Sequence, residues 1–410
     1  MPGSMRCDSS LLSAIAVLGL ACTAIQARTV VVGHGTGCPS PHFTNISDAV
    51  NAASSGDVIN ICPGLYKEQL LITKPVTLRG ISVTGSAGLV IDRVLIQPSS
   101  MTALGGLGSQ AVITALNTRG VVIEDLAVDA ANNSVDACDP SLSTIHFLNS
   151  SGVVRQNAIT GAKMANPSNC PNFFGNGFGV LVDSDGSRSG PFEVSIQANT
   201  IHDFTRNGIW ANGPDVKVDI DGNSISGIGP GAGQPQFGIF VVGATGRVTD
   251  NLISEGLCGS LGFDACIALR SEGIVFRVAG DGSIACRNVI TNAQYGIFLN
   301  GGNRYQIGNN VVRNIDIAEG IHLQGGVTNS IMEGNAIYLA SPVANITCGI
   351  GEVPDGQSGN KIVNNSIYDG YCGVAYVSAD VVHANKTYNT LYSTFNVELF
   401  PTEPPSPEEP

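Results

Sequence analysis

The feature that most constrains this chain is a recurring asparagine. Asn-x-apolar triplets stand at Asn157-Ala158-Ile159, Asn199-Thr200-Ile201, Asn223-Ser224-Ile225, Asn251-Leu252-Ile253, Asn288-Val289-Ile290, Asn310-Val311-Val312, Asn335-Ala336-Ile337, Asn365-Ser366-Ile367 and Asn389-Thr390-Leu391. The steps are 42, 24, 28, 37, 22, 25, 30 and 24 residues. The short steps define one unit, and the long ones read as that unit carrying insertions. A second signature, Gly-apolar-x-apolar, falls between the asparagines. It appears at Gly179-Val180-Leu181-Val182, Gly208-Ile209-Trp210-Ala211, Gly238-Ile239-Phe240-Val241, Gly296-Ile297-Phe298-Leu299, Gly320-Ile321-His322-Leu323 and Gly373-Val374-Ala375-Tyr376.

Each unit therefore holds three short stretches of period-2 alternation, separated by Gly, Asn, Asp and Ser corners. A strand of three to five residues cannot bury a face alone. Winding the chain so that each turn stacks on the last, at about 4.8 Å per turn, closes three parallel sheets around one apolar core. The expected fold is all-β: a single-stranded right-handed parallel β-helix, a β-solenoid with coils of about 22–25 residues. Asparagine suits a corner because it tolerates left-handed backbone and bonds its neighbours locally. Residues Phe43 to Ala53 carry helical spacing instead, with Asn45 or Ser47 as the cap. A short helix there would cover the unpaired first coil.

Composition sets the class. Charged residues are 13% of the chain against about 25% in an average protein. With 43% apolar residues, bulk disorder is excluded. The net charge of −13 argues against nucleic acid as a partner. An apolar run from Leu11 to Ala21, followed by Ile25-Gln26-Ala27, reads as a secretory leader over residues 1–27. No later run is long enough to span a bilayer. The solenoid is expected over 28–397, with a Pro/Glu-rich disordered tail at 398–410. The product is expected to be secreted, periplasmic or at the cell surface, and monomeric.

Nine cysteines follow Ala27, in keeping with an oxidising compartment. Cys348 and Cys372 hold the same repeat position 24 residues apart, as do Cys38 and Cys62. One coil of rise brings such pairs within disulfide reach. Cys138 and Cys170 flank insertions and form a third candidate pair. Cys258, Cys266 and Cys286 crowd one coil and should include the odd thiol.

The Ile46–Gly80 stretch resembles the opening of right-handed parallel β-helix proteins of the pectin-lyase-like superfamily. The Asn-x-Ile and Gly-Ile-x-Leu coils resemble NosD-type repeats. The resemblance implies this fold, and a superfamily of polysaccharide lyases, glycoside hydrolases, epimerases, esterases and non-catalytic adhesins or accessory proteins. No Trp-x-Asp-His or Asp-Pro-His-Asp signature accompanies it.

In the Gly-apolar-x-apolar strand the middle residue points outward. Up the stack this gives Leu181, Trp210, Phe240, Phe298, His322 and Ala375, with Asn212, Asn300 and Gln324 two residues along. Aromatic planes beside amides suit pyranose rings, so the face is a candidate glycan platform, unless loops fold over it. Catalytic candidates are His202, Asp203 and Arg206 in the loop before Trp210, and Glu319 with His322. The expected partner is a polysaccharide or cell-surface glycan, bound along this face, with cleavage as a lyase or hydrolase left open. The alternative is a non-catalytic solenoid. No metal site is assigned. Calcium is the one cofactor left open, at Asp183-Ser184-Asp185-Gly186 or Asp219-Ile220-Asp221-Gly222.

Overall fold

The computed structural model describes residues 27–397 except 35–37, 39, 85–89, 92, 105–106, 171–174, 230–233, 257–268, 270, 316–317 and 341–346. The expected leader (save its last residue), the tail at 398–410, Cys258 and Cys266 lie outside the described residues. Three parallel sheets of 13, 12 and 12 strands run the length of the described chain. The first sheet runs from Thr29–Val32 to Val381–His383, the second from Gly64–Tyr66 to Lys386–Tyr388, and the third from Leu70–Ile72 to Tyr392–Asn396. Within each sheet the neighbours of a strand come from the coils before and after it, which is the solenoid winding expected from the repeat.

The interior is built from columns of one residue per coil. Ile196, Ile220 and Val248 stack in the first sheet, Ile201, Ile225 and Ile253 in the second, and Ile209, Ile239 and Ile274 in the third. All nine are buried. Each such side chain contributes about 1.5–3 kcal/mol by leaving water. These columns are the reason strands of three residues persist.

The asparagines do stack, and hydrogen bonding explains why. The main-chain N–H and the Nδ2 of Asn157 both donate to Oδ1 of Asn199, each at 3.0 Å. The same double bond joins Asn199 to Asn223, Asn223 to Asn251, and so on through Asn288, Asn310, Asn335 and Asn365. Each Nδ2 also donates to a carbonyl of the first-sheet strand one coil earlier, as Asn251 does to Ile220 O at 2.9 Å. The left-handed backbone lies one residue earlier than expected, at Gln156, Ala198, Asp250, Arg287, Asn309 and Asn364. The ladder asparagines serve as the rungs, and their predecessors turn the chain.

The last rung corrects the sequence reading. It is Asn385, which accepts from Asn365 N–H at 3.0 Å, 20 residues on. Asn389 is itself left-handed (φ 52°), exposed, and bonded to Asp369 Oδ1 at 2.8 Å. The final coil is short, so the triplet at 389 is out of phase with the ladder.

The glycine signature has a steric cause. A Cβ on Gly208 would lie 2.5 Å from Ile225 Cγ2 and 2.7 Å from Gly238 O, so the corner between the second and third sheets has no room for one. The N-terminal helix is Ile46–Ala52, with Ile46, Ala49 and Val50 buried against the first coil. Asn45 occupies the N-cap position, but its side chain caps nothing. The free N–H groups of Ile46 and Ser47 donate instead to the Glu68 carboxylate, both at 2.9 Å. Asn45 is the N-cap residue by position, but neither its side chain nor that of Ser47 caps the helix. A carboxylate 21 residues further on satisfies the helix end.

Disulfides close Cys38–Cys62, Cys138–Cys170 and Cys348–Cys372, with Cα separations of 5.8, 4.8 and 4.5 Å. Such bonds belong to an extracytoplasmic, oxidising location. Cys286 is also disulfide-bonded, so it is not the odd thiol.

Candidate functional site

The outer face of the third sheet carries the residues of interest. Parallel register places Trp210, Phe240, Val275, Phe298 and His322 in one column, so Val275 interrupts the aromatic row. Trp210 and Phe240 stack at 6.4 Å and 12°, Phe298 and His322 at 4.9 Å and 22°. Phe240 and Phe298 are only 1% and 2% exposed. Phe237 and Tyr295, from the neighbouring outward column, pack edge-on against them. The expected open platform of rings is therefore covered, and only Trp210 in that row keeps partial exposure. Beside it runs a half-buried row that stays accessible: Asp183, Asn212, Val242, Arg277, Asn300 and Gln324, one per coil.

The two catalytic candidate groups behave differently. His202 Nδ1 meets Asp203 Oδ2 at 2.8 Å, and Lys163 Nζ lies 3.4 Å from the same carboxylate, at the exposed end of a second-sheet strand. The hydrogen bond from His202, with Lys163 beside it, outweighs burial and holds Asp203 below the usual carboxylate range. Arg206 is absent from this group. Its side chain is fully buried, donates to Pro235 O and lies over the Phe237 ring at 4.5 Å. The cluster of three read from sequence spacing is thus divided between two environments, because the corner after Asp203 turns the chain from the second sheet to the third.

Glu319 and His322 do meet. Glu319 Oε2 lies 3.3 Å from His322 Nδ1, a charge contact rather than an aligned hydrogen bond, and Nε2 faces Gln324 Oε1 at 3.2 Å. Burial alone would lower the His322 pKa. The Glu319 carboxylate, with Gln324 and Glu272 behind it, outweighs burial and holds the imidazole above its ordinary value. Tyr295 packs edge-on to His322 at 5.2 Å. Glu272 pairs in register with Tyr295 and is buried, so a second carboxyl belongs to this end of the face. Sequence spacing did not single it out as a site residue, because the insertion before it hides its repeat phase. Glu255 was also missed. It is fully buried, its carboxyl lies against Gly227 and Gly238, and burial pushes its pKa well above the ordinary value.

The two acidic turns are engaged internally. Asp183 bonds His146, Asp185 accepts from Asn149 and Ser187, Asp219 pairs with Arg247, and Asp221 accepts from Thr249. Among the described residues no three His, Cys, Asp or Glu side chains converge on one point.

A family model described as a right handed beta helix region matches residues 143–337. The fold is a right-handed β-helix. Among solved structures, this helix is similar to the Dettilon tailspike protein gp208, at 15% identity and a TM-score of 0.53, over 84% of this chain and 63% of that one. It is also similar to ORF18 of Geobacillus virus E2, at 13% identity and 0.52, over 78% and 57%. A third, tailspike gp49 from Acinetobacter baumannii bacteriophage Fri1, is described as a capsular polysaccharide depolymerase. It scores 0.49 at 10% identity, over 88% of this chain and 62% of that one. The β-helix thus spans about three fifths of each of these longer chains, and the likeness is one of fold. No curated protein matches the sequence.

Proposed function

We propose that this β-helix binds an extended polysaccharide along the outer face of its third sheet and cleaves it at Glu319 and His322. The observation that carries the reading is the Glu319–His322 contact at one end of a half-exposed row of amide and charged groups. Rungs about 4.8 Å apart match the repeat of an extended sugar chain, so Asn300 and Gln324, one coil apart, can meet successive residues and Asn212, three coils from Asn300, a more distant one. His322, its pKa raised by Glu319 against the opposing effect of burial, would supply the proton to a leaving oxygen, and a carboxylate, Glu319 or Glu272, the base. Trp210 offers the remaining accessible ring at the opposite end of the row.

A second reading, a non-catalytic solenoid of the NosD accessory type or an adhesin, is favoured by the covering of Phe240 and Phe298. One experiment separates the two. The purified chain is incubated with a panel of neutral and acidic polysaccharides, with unsaturated products and new reducing ends both measured. Product that disappears in Glu319→Gln supports cleavage. A Trp210 fluorescence shift with one glycan and no product supports a binding scaffold. Neither response to any glycan ends both readings of this face.

A further inference from the structure

The same sheet carries a second polar constellation, six coils from His322 toward the N-terminus. Three consecutive strands, Ser109–Leu116, Ser141–Leu148 and Phe178–Asp183, each contribute one group. Ser109 Oγ lies 3.1 Å from His146 Nδ1, and His146 Nε2 lies 2.7 Å from Asp183 Oδ1. Asp183 can only accept, so Nε2 carries the hydrogen. That leaves the Nδ1 lone pair facing the serine hydroxyl, the arrangement a base needs to take its proton. The imidazole is held between apolar or small neighbours in its own column, Thr114 and Leu181, and it is almost fully buried. Ser109 follows Gly108 at the start of its strand and keeps 6% exposure, and the Asp183 side chain keeps 27%.

We propose that Ser109 and His146 form a nucleophilic site for short-chain acyl esters, with Asp183 as the positioning residue. Ser109 Oγ attacks the ester carbonyl as its proton passes to His146 Nδ1. The carbonyl–alkoxy bond breaks, and the leaving alcohol takes the proton back from Nδ1. Water then attacks the acyl-serine through the same base, releasing the carboxylic acid and restoring the hydroxyl. Asp183 orients the ring and stabilises the imidazolium, without itself being protonated. The low exposure of Ser109, 6%, restricts the site to small acyl groups such as acetyl. That the ester is carried on a glycan rests on the polysaccharide reading above. The relay itself does not.

The test uses the full chain and no glycan. A fluorophosphonate probe is incubated with the protein and the adduct is mapped by peptide mass, alongside hydrolysis of p-nitrophenyl acetate and p-nitrophenyl decanoate. The expected results are an adduct on Ser109, preference for the acetate, and a loss of at least ~10²-fold in Ser109→Ala. Ser141→Ala, altering the serine paired with Ser109 on the next strand, should retain both labelling and hydrolysis. No adduct on Ser109 of the unaltered protein, or undiminished hydrolysis by a folded Ser109→Ala chain, overturns the proposal. The mapped adduct needs no variant, so a misfolded variant cannot mask the answer. Failure on a glycan panel leaves this result standing.

Discussion

The asparagine ladder makes a strong prediction about stability. Asn251 sits mid-ladder and is buried. Its Oδ1 accepts from the Asn223 N–H at 2.9 Å and from Asn223 Nδ2 at 3.0 Å. Its Nδ2 donates to Ile220 O and Thr249 O, both at 2.9 Å, and to Asn288 Oδ1 at 3.0 Å. Asn251→Ala removes the acceptor of a buried backbone N–H, at about 1–3 kcal/mol, and at least two further bonds at about 1 kcal/mol each. The expected cost is about 3–5 kcal/mol. Asn389 opens a triplet of the same Asn-x-apolar pattern but makes one exposed bond, to Asp369. Asn389→Ala should cost only about 1 kcal/mol, mostly for placing alanine in left-handed backbone. Urea unfolding followed by circular dichroism measures both. Because each coil contacts only its neighbours, hydrogen exchange should show protection lost first around coils 223–288. Equal losses for the two substitutions would refute the claim that the ladder, rather than the triplet itself, stabilises the corner.

Other consequences are directly measurable. Opening Cys348–Cys372 with a paired Cys→Ser substitution should cost roughly 3 kcal/mol, from the 24-residue loop it closes, and chemical denaturation under non-reducing conditions reads this. Burial first, then Asp380, raises Glu352 to about 9 from an ordinary 4.5. The unfolded chain thus releases this proton near pH 4.5 while the fold retains it, so stability falls as pH rises from there toward about 9. Glu352→Gln should therefore raise Tm at pH 8 and leave it unchanged near pH 4, and equal Tm at both values would contradict the assignment. For His322, whose pKa is raised, the stabilisation is present below 6.5 and lost as pH climbs through the higher folded value. Glu319→Gln should move the His322 imidazole titration, followed by NMR, downward, and an unchanged titration would mean the pair is not coupled.

The division between sequence and tertiary structure follows from what repeats. Period-2 stretches at a step near 24 allow only stacked coils, because three-residue strands have no other way to bury their apolar side. The winding, the three sheets, the interior columns and the vertical pairing of Cys348 with Cys372 were all legible for that reason. So was the outward direction of Trp210, Phe240, Phe298 and His322, since alternation is local. What covers them is only partly local. Phe237 and Tyr295, three residues earlier on the same strands, pack edge-on against Phe240 and Phe298, and the stacked rings of Trp210 and His322 on adjacent coils add to the cover, so the exposure of an outward side chain depends on contacts that alternation does not record. Arg206 parted from His202 and Asp203 because one corner turned the chain between sheets, a change of direction that adjacency in sequence cannot record. Ser109, His146 and Asp183 stand 37 residues apart in each step. They hold different register positions, Ser109 opposite Ser141, His146 opposite Thr114 and Asp183 opposite Leu148, so no repeat phase links them and only the stacking of three strands brings hydroxyl, imidazole and carboxylate together.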